Sequence, residues 1–392
     1  MVDIISQLKD AKKTTELPLS DDEVVDKLRA SEVPLLLWGC GNYAEYIIGI
    51  LSKNKIKLDG VFIDADPKSG LEFHGHKVVS FKEVESKYPR INIIRGNGNI
   101  EKEVRYKSMS LVENLYSFFD LMGFGWHIND ERIDQYASTI NAMYNVFEDE
   151  TSRESFAAYL KSRYLGSWKY IQSHICEKMY FPDFIELSCH ESFIDCGAFD
   201  GDTLKLFSKK TSVWDNYFAF EPSIKPYDAL CNYIADNKFG NVYTYKTGVW
   251  NKKTTLSFVE GKDISRIVEG EYEGDIKIEV DALDNICRNV PVTYIKMDLE
   301  GSELHALEGA KNTILRNTPK LAISLYHKRS HLVDIYKFLS GLNLGYRFYF
   351  RIHTKVGSDA VLYALKRNSN GKKKYNLALI PTQGRHRRQI RK

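Results

Sequence analysis

A short apolar run, Phe193-Ile194, meets a carboxylate at Asp195 and then a turn carrying Gly197 and Gly201. Thr203-Leu204-Lys205-Leu206-Phe207 follows with the spacing of a helix start. A strand that passes through a glycine turn into a helix N-terminus is how a parallel α/β sheet cradles a nucleoside ligand. The glycines let backbone approach the ligand without a Cβ in the way. Asp202 or Thr203 is expected to cap the first helical turn. The turn alone would suit any βα connection. Two further apolar strands change that reading. Tyr217-Phe218-Ala219-Phe220 ends at Glu221-Pro222, about one βαβ unit later, where an acid would reach ribose hydroxyls. Thr293-Tyr294-Ile295-Lys296-Met297 ends at Asp298-Leu299-Glu300-Gly301. Strands ending in acid at this spacing predict one ligand crevice along the carboxyl edge of a sheet.

At 392 residues the chain has room for two domains. No apolar run approaches the roughly 20 residues of a membrane span. Met1 to Ser20 is polar, with no apolar core of signal-peptide type. The cysteines Cys40, Cys176, Cys189, Cys196, Cys231 and Cys287 are scattered, without a CxxC pair. That pattern predicts reduced thiols and a cytoplasmic chain, and it argues against a cysteine zinc site. Lys366 to Lys392 holds many Lys and Arg and no acid. It reads either as a solvated tail or as a contact for anionic lipid headgroups, a lipid-linked glycan or a phosphate-bearing substrate. No nucleic-acid-binding motif accompanies the charge, so nucleic acid is not expected as a partner.

Taken in order, residues 1–100 read as a smaller N-terminal Rossmann-like domain. Ser20 before Asp21-Asp22-Glu23 predicts a capped helix over Asp21–Ala30. Pro34–Trp38 is a buried-type strand, followed by Gly39-Cys40-Gly41 and a helix through Tyr46, Ile47, Ile50 and Leu51. A second strand, Leu58–Ile63, ends at Asp64, about 20 residues past the turn, as a ribose-binding acid would. The turn is G-x-G-x-x-A, and Asn42-Tyr43 places bulk beside the phosphate position. Scaffold, sugar-nucleotide site and NAD site therefore stay open for this domain. Asp64-Ala65-Asp66-Pro67-Lys68-Ser69-Gly70 and Gly75-His76-Lys77-Val78-Val79 look similar to the N-terminal domain of bacterial sugar acyltransferases. His74 and His76 read as turn residues. Strand Ile91–Arg95 and Gly96-Asn97-Gly98-Asn99 close the domain.

Residues 101–185 read as a helical connector. Leu111, Leu115, Phe118, Phe119 and Met122 share one predicted helix face; Ile133, Tyr136, Ile140 and Met143 share another. Val146 to Arg153 reads as a turn between helices. Trp168 and Tyr180 either pack structurally or wall a substrate cleft. Residues 186–366 read as the second α/β domain. Its strands are expected at Ser192–Asp195, Tyr217–Glu221, Val242–Tyr245, Val292–Asp298 and Leu321–Leu325. Helices are expected from Thr203, over Ile224–Asp236, over Ser302–Leu315 and over His331–Leu339. Thr254–Val259 and Asp275–Val280 read as paired β segments around a flap, Gly261–Gly274. Tyr346–Arg351 and Ala360–Leu365 read as a closing antiparallel pair. Residues 367–392 are the basic tail.

Four blocks in this order resemble the FkbM family of S-adenosyl-L-methionine (SAM)-dependent O-methyltransferases. They are Ile194 to Thr203, Phe220-Glu221-Pro222, Ile295-Lys296-Met297-Asp298-Leu299-Glu300-Gly301-Ser302-Glu303, and Ser324-Leu325-Tyr326-His327-Lys328. The resemblance covers about residues 176 to 366 and is silent on the substrate. It implies a seven-stranded Rossmann-like sheet with a terminal hairpin, and SAM as cofactor. On that reading Asp195, Gly197, Ala198, Gly201, Asp202 and Thr203 border the donor's amino-acid portion and backbone. Glu221 takes the ribose diol, and Gly248 and Val249 lie near the adenine. Asp298 points at the crevice, where it could bind the donor's ammonium, a metal or the acceptor hydroxyl. His327 is the candidate base, with Asp298 and Glu300 beside it and His353 as a second candidate. No metal site is claimed, because paired carboxylates at a strand end are common.

The chain lacks an Asn/Asp-Pro-Pro-Tyr/Phe motif, which leans the acceptor from nitrogen toward oxygen. The family's use in glycan and macrolide tailoring points to a hydroxyl of a sugar, polysaccharide or related glycan. A homo-oligomer is compatible with the sequence. The competing readings are a nucleotide-sugar-binding module with an inactive or regulatory second domain, and an NAD-dependent oxidoreductase. The latter lacks a Tyr-x-x-x-Lys run.

Overall fold

The computed structural model describes residues 1–99, 101–118, 127–259, 266–268 and 276–366. Helix α1 (Ile4–Thr14) opens the chain, with Asp3 accepting from the Ser6 amide as its cap. Its buried residues, Ile4, Ile5 and Leu8, are too few to mark a helix in so polar a segment. Helix α2 (Asp21–Ala30) carries the expected capping box: Ser20 Oγ accepts from Glu23 N, and Glu23 Oε2 accepts from Ser20 N at 2.8 Å.

The elements that follow are β1 (Leu35–Trp38), α3 (Asn42–Lys53), β2 (Gly60–Ile63), β3 (Glu72–Phe73) and β4 (His76–Ser80). Next come α4 (Phe81–Lys87), β5 (Ile91–Arg95), α5 (Glu101–Lys107) and β6 (Val112–Tyr116). They build a six-stranded sheet in the order β3-β4-β2-β1-β5-β6. Only the β3–β4 pairing is antiparallel. β1 is buried at every residue because it lies mid-sheet between β2 and β5, which is why it reads as an unbroken apolar run.

The expected helix face from Leu111 to Met122 is a correction. Val112–Tyr116 is a strand whose Leu115 and Tyr116 pair with Ile93 and Ile94. The open edge of β5 decides the conformation of a short apolar run that spacing alone leaves ambiguous. Phe119 and Met122 lie outside the described residues.

The connector is α6 (Asp130–Val146), α7 (Glu150–Leu165) and a 3₁₀ turn at Trp168–His174. Asn129 and Asp149 cap the two helices. α1 packs across both of them.

The second α/β region begins with β7 (Ser192–Cys196), α8 (Asp202–Lys210), β8 (Asn216–Phe220), α9 (Ile224–Asn237) and β9 (Val242–Tyr245). Then come β10 (Gly248–Val249), β11 (Thr254–Val259), β12 (Arg266–Val268), β13 (Ile276–Asp281) and α10 (Leu283–Ile286). β14 (Tyr294–Met297), α11 (Glu303–Gly309), α12 (Lys311–Asn317), β15 (Lys320–Ser324), α13 (His331–Gly341), β16 (Tyr346–Ile352) and β17 (Ala360–Lys366) complete it. The large sheet runs β16-β17-β15-β14-β7-β8-β9. Five strands from β9 to β15 are parallel, and β17 and β16 follow antiparallel. The α/β class, the seven strands and the closing pair are as the sequence predicts.

β10 to β13 form a separate four-stranded sheet, in which β11 and β13 pair antiparallel as expected. The flap over Gly261–Gly274 falls outside the described residues except at β12, and so does the basic stretch after Lys366. The single helix expected over Ser302–Leu315 is two. A methyl group at Gly309 would stand 2.1 Å from Trp250 O, so the chain here crosses another backbone closely. No described helix is long and apolar enough to cross a membrane.

Candidate functional site

The carboxyl ends of β7, β8 and β14 open onto a cleft of about 790 Å³. Its lining includes Gly197, Asp202, Glu221, Gly248, Val249, Asp298 and Glu300. Asp195, Ala198, Gly201, Thr203 and His327, also predicted for the site, do not line it. They stand behind it and hold its walls.

The glycine turn is built by close approach. Gly197 has φ +81°, and a methyl group on it would lie 2.0 Å from Asp298 O. Gly201 has φ +88° and is itself the N-cap of α8, with no side-chain cap. The expected capping by Asp202 or Thr203 is therefore corrected: Asp202 is the first helical residue, and its Oδ1 accepts from Thr203 N at 2.6 Å. The turn's left-handed residue already reverses the chain, so no side-chain cap is needed to start the helix. Thr203 is buried in the first turn.

Behind the turn lies a buried ion pair that strand-end spacing does not point to. Lys296 of β14 sits in register with Asp195 of β7, their Nζ and Oδ1 3.1 Å apart. Lys296 also donates to Gly197 O at 2.6 Å, and Tyr217 donates to Asp195 Oδ2 at 2.7 Å. Burial pushes the Asp195 carboxyl up to about 6, against the pull of Lys296. Burial opposes the charge on Lys296, but Asp195 outweighs it and holds the ammonium above its ordinary value. Asp195 thus supports the turn electrostatically and does not reach the cleft. A lysine inside the apolar strand Tyr294–Met297 is the signal for it, since a buried ammonium requires a buried partner.

Glu221 ends β8 with both oxygens fixed by backbone. Oε2 accepts from Phe199 N at 3.0 Å and Oε1 from Ser223 N at 2.8 Å. Burial raises its pKa, with those amides opposing. Each oxygen keeps a second lone pair, so the carboxylate is a fixed two-pronged acceptor in the cleft lining.

At the end of β14, Asp298 is held by two phenols. Tyr180 donates to Oδ2 at 2.7 Å and Tyr326 to Oδ1 at 3.2 Å. Tyr180 itself is buried in a left-handed conformation, φ +60°, an arrangement that surrounding structure must enforce. Of the two residues weighed as cleft walls, Tyr180 therefore braces Asp298. Trp168 instead packs between Tyr43, at 6.5 Å ring to ring, and the Arg95 guanidinium at 4.9 Å, joining the connector to the first α/β region.

Below Asp298 lies His327, its side chain fully buried. Nδ1 donates to Glu303 Oε1 at 2.7 Å. Nε2 faces Glu300 Oε2 at 3.2 Å and Asp298 Oδ1 at 3.5 Å. Burial would lower the His327 pKa, but Glu303, Glu300 and Asp298 overcome it and hold it well above the ordinary value. Glu303 also accepts from Leu299 N at 2.8 Å and meets His331 Nδ1 at 3.0 Å. Burial would raise Glu303; the two histidines keep it well below the usual carboxylate range. His353, the second candidate base, is committed elsewhere. Its Nδ1 donates to Cys176 O at 2.6 Å, and its Nε2 lies 2.9 Å from the Tyr363 hydroxyl.

In the N-terminal region Asp64 is engaged within its own domain. Oδ2 accepts from Trp38 Nε1 at 3.3 Å and pairs with Lys102 at 3.1 Å, while Oδ1 accepts from Tyr106 at 2.6 Å. A methyl group at Gly39 would meet Gly96 O at 2.8 Å, so that glycine serves close packing of two loops.

The family model of the methyltransferase FkbM domain matches residues 195–348. The crystal structure of a methyltransferase FkbM from Methylobacillus flagellatus KT is similar over 92% of this chain and 98% of that one, with TM-score 0.71 and 20% identity. Fibrillarin from Aeropyrum pernix in complex with natively bound S-adenosyl-L-methionine is similar over 48% of this chain and 73% of its own, with TM-score 0.32 and 13% identity. A search of curated proteins returns no match. With a seven-stranded sheet whose carboxyl edge forms the cleft, the chain carries a methyltransferase FkbM domain at residues 195–348 and is a SAM-dependent methyltransferase.

Proposed function

We propose that this chain binds SAM in the cleft and transfers its methyl group to a hydroxyl of a sugar, polysaccharide or related glycan. The observation that carries the donor reading is Glu221. Its carboxylate is pinned by two amides and faces the cleft, as recognition of a vicinal diol requires. The Gly197 turn lets the donor's amino-acid end approach backbone, and Gly248-Val249 offers a flat apolar wall for the adenine.

In the reaction an oxygen–carbon bond forms as the sulfonium–carbon bond breaks, and the hydroxyl proton must leave. Asp298 already accepts from two phenols, so we assign it orientation of the reacting groups. Glu300 lines the cleft with its side chain 29% exposed, and we assign it acceptance of the proton. His327 lies behind both carboxylates with a proton on each nitrogen, which suits it to positioning rather than to basic catalysis. The saccharide acceptor rests on the sugar-like sequence of the first domain and on family analogy. Oxygen is favoured by the absence of the amino-methylating motif.

The test is calorimetric titration with S-adenosylhomocysteine (SAH), NAD and a UDP-sugar in parallel. Micromolar binding of SAH alone is expected. Heat from NAD or the UDP-sugar without SAH would move the function to the first domain. Radiolabelled SAM offered with saccharides then tests the acceptor. Label bound as an ether survives mild alkali, whereas a methyl ester is cleaved.

A further inference from the structure

We infer that Asp359 is a positioning residue for the methyl transfer: its carboxylate competes with Asp298 for the one proton of the Tyr326 hydroxyl, and so decides whether Asp298 Oδ1 is open to a hydroxyl of the acceptor. The role in the reaction rests on the function proposed above. The competition for the proton rests on where the three residues sit.

Sheet register brings them together. β15 and β17 run antiparallel with Ser324 opposite Val361, and Leu325 N donates to Ala360 O at 2.9 Å. One step further in the same register, Tyr326 stands opposite Asp359 at the carboxyl edge of β15. The other neighbour of β15 is β14, which leads directly into Asp298. The hairpin that carries Asp359 is closed by His353 N, which donates to Asp359 O at 3.0 Å. Within it Ser358 N donates to Thr354 Oγ1 at 3.0 Å. The backbone of Asp359 is thus fixed beside the phenol.

A phenol has one proton to donate. The Tyr326 hydroxyl lies 3.2 Å from Asp298 Oδ1, long for a hydroxyl donor. The same hydroxyl hydrogen-bonds to the Asp359 carboxyl and favours its charge. Tyr180 meanwhile keeps the other oxygen of Asp298 at 2.7 Å. The further titratable groups facing Asp359 are Glu300 and His327 beside Asp298, Tyr180 from the connector and Tyr43 from the first α/β region. Burial, and next the charge of Asp298, raise Asp359 to about 6, with Tyr326 and His327 opposing. Below that pH Asp359 carries its own proton, and the Tyr326 proton goes to Asp298 Oδ1. Above it Asp359 is charged and draws the hydroxyl, which opens a lone pair on Oδ1. A saccharide brings neighbouring hydroxyls. Asp298 Oδ1 then anchors one of them while Glu300 takes the proton of the one that reacts.

The test labels the full chain with 3-fluorotyrosine and follows it by fluorine NMR, with Tyr326→Phe identifying the Tyr326 signal by its loss. Between pH 5 and pH 8 that signal should shift through a step centred at about 6. Asp359→Asn should abolish the step, and Asp359→Glu should restore it. SAH calorimetry on the same samples reports that each variant is folded. Absence of a step in the wild type would overturn the proposal whatever the variants do, as would a step that Asp359→Asn leaves unchanged. With a saccharide acceptor at pH 7, Asp359→Asn should lower kcat about tenfold and leave the KM for SAM within about twofold. An unchanged kcat would overturn the positioning role. If the step is present but SAH does not bind, or no saccharide is methylated, the function proposed above fails and the competition for the proton stands.

Discussion

Two buried histidines differ in charge because their partners differ in kind. His327 donates to a carboxylate behind and faces carboxylates in front, so both nitrogens keep protons. Cys176 O can only accept, so His353 carries its proton on Nδ1 and its Nε2 must accept from the Tyr363 hydroxyl. Burial, the largest cause, brings the His353 pKa down to about 4. Between that value and the unfolded value near 6.5 the unfolded chain binds more protons. His353 therefore costs stability as pH falls through this window, by roughly 3 kcal/mol at most. Asp195 and Asp359, each raised to about 6 mainly by burial, act in the opposite sense. The difference between wild type and His353→Gln isolates the histidine: the gap between their urea midpoints should be constant above about pH 6.5, and below it the wild type should lose stability relative to the variant. An unchanging difference would show that His353 is not neutral when folded.

For Glu221→Ala, SAH affinity should fall about tenfold or more, since a charged acceptor to two hydroxyls is lost. Calorimetry checks this, and unchanged affinity would end the ribose assignment. The sequence exposes Glu221 and Asp298 because each directly follows an apolar strand. It hides the two phenols, whose meeting at Asp298 comes from segments far apart in the chain.

Helical glycines show how an element can look intact locally and be broken by its neighbours. Gly49 lies in α3, where a methyl group in place of its hydrogen would meet nothing within 4 Å. Gly49→Ala should stabilise by up to about 1 kcal/mol through helix propensity. Gly309→Ala places a methyl 2.1 Å from Trp250 O and should destabilise by about 3 kcal/mol or more. Urea unfolding of the pair gives opposite signs if the packing at Trp250 is as described. No local signal separates these glycines, which is why spacing predicts one helix over Ser302–Leu315. The strand β6 is hidden for a related reason: its partner, β5, supplies the conformation. An element with its own cap, such as α2, is readable at once.

At the scale of the molecule, the two α/β regions each end a strand in an acid and differ in what those acids do. Glu221 is held by backbone and turned to the cleft, whereas Asp64 is engaged by Trp38, Tyr106 and Lys102 of its own domain. Asp64→Asn is accordingly expected to lower the urea midpoint and leave SAH affinity unchanged. A fall in SAH affinity would mean that the first region takes part in donor binding. Both glycine turns and both acids are visible in the sequence. Which acid is free to serve depends on partners brought from β1 and α5, beyond the reach of spacing.

The outer edge of the large sheet has a bearing on how the chain is made. β16 is met by Phe147 and Ile175 of the connector, and Arg351 pairs with Asp149 at 2.6 Å. Residues made early are thus clamped by strands made late, and β17 must slot between β16 and β15 before that clamp can form. During synthesis the connector waits, with its apolar faces uncovered, for some two hundred residues to emerge. Contacts of such wide sequence separation slow folding. The nascent chain should therefore depend on chaperones until its last strands leave the ribosome, long after the first sheet has become self-sufficient.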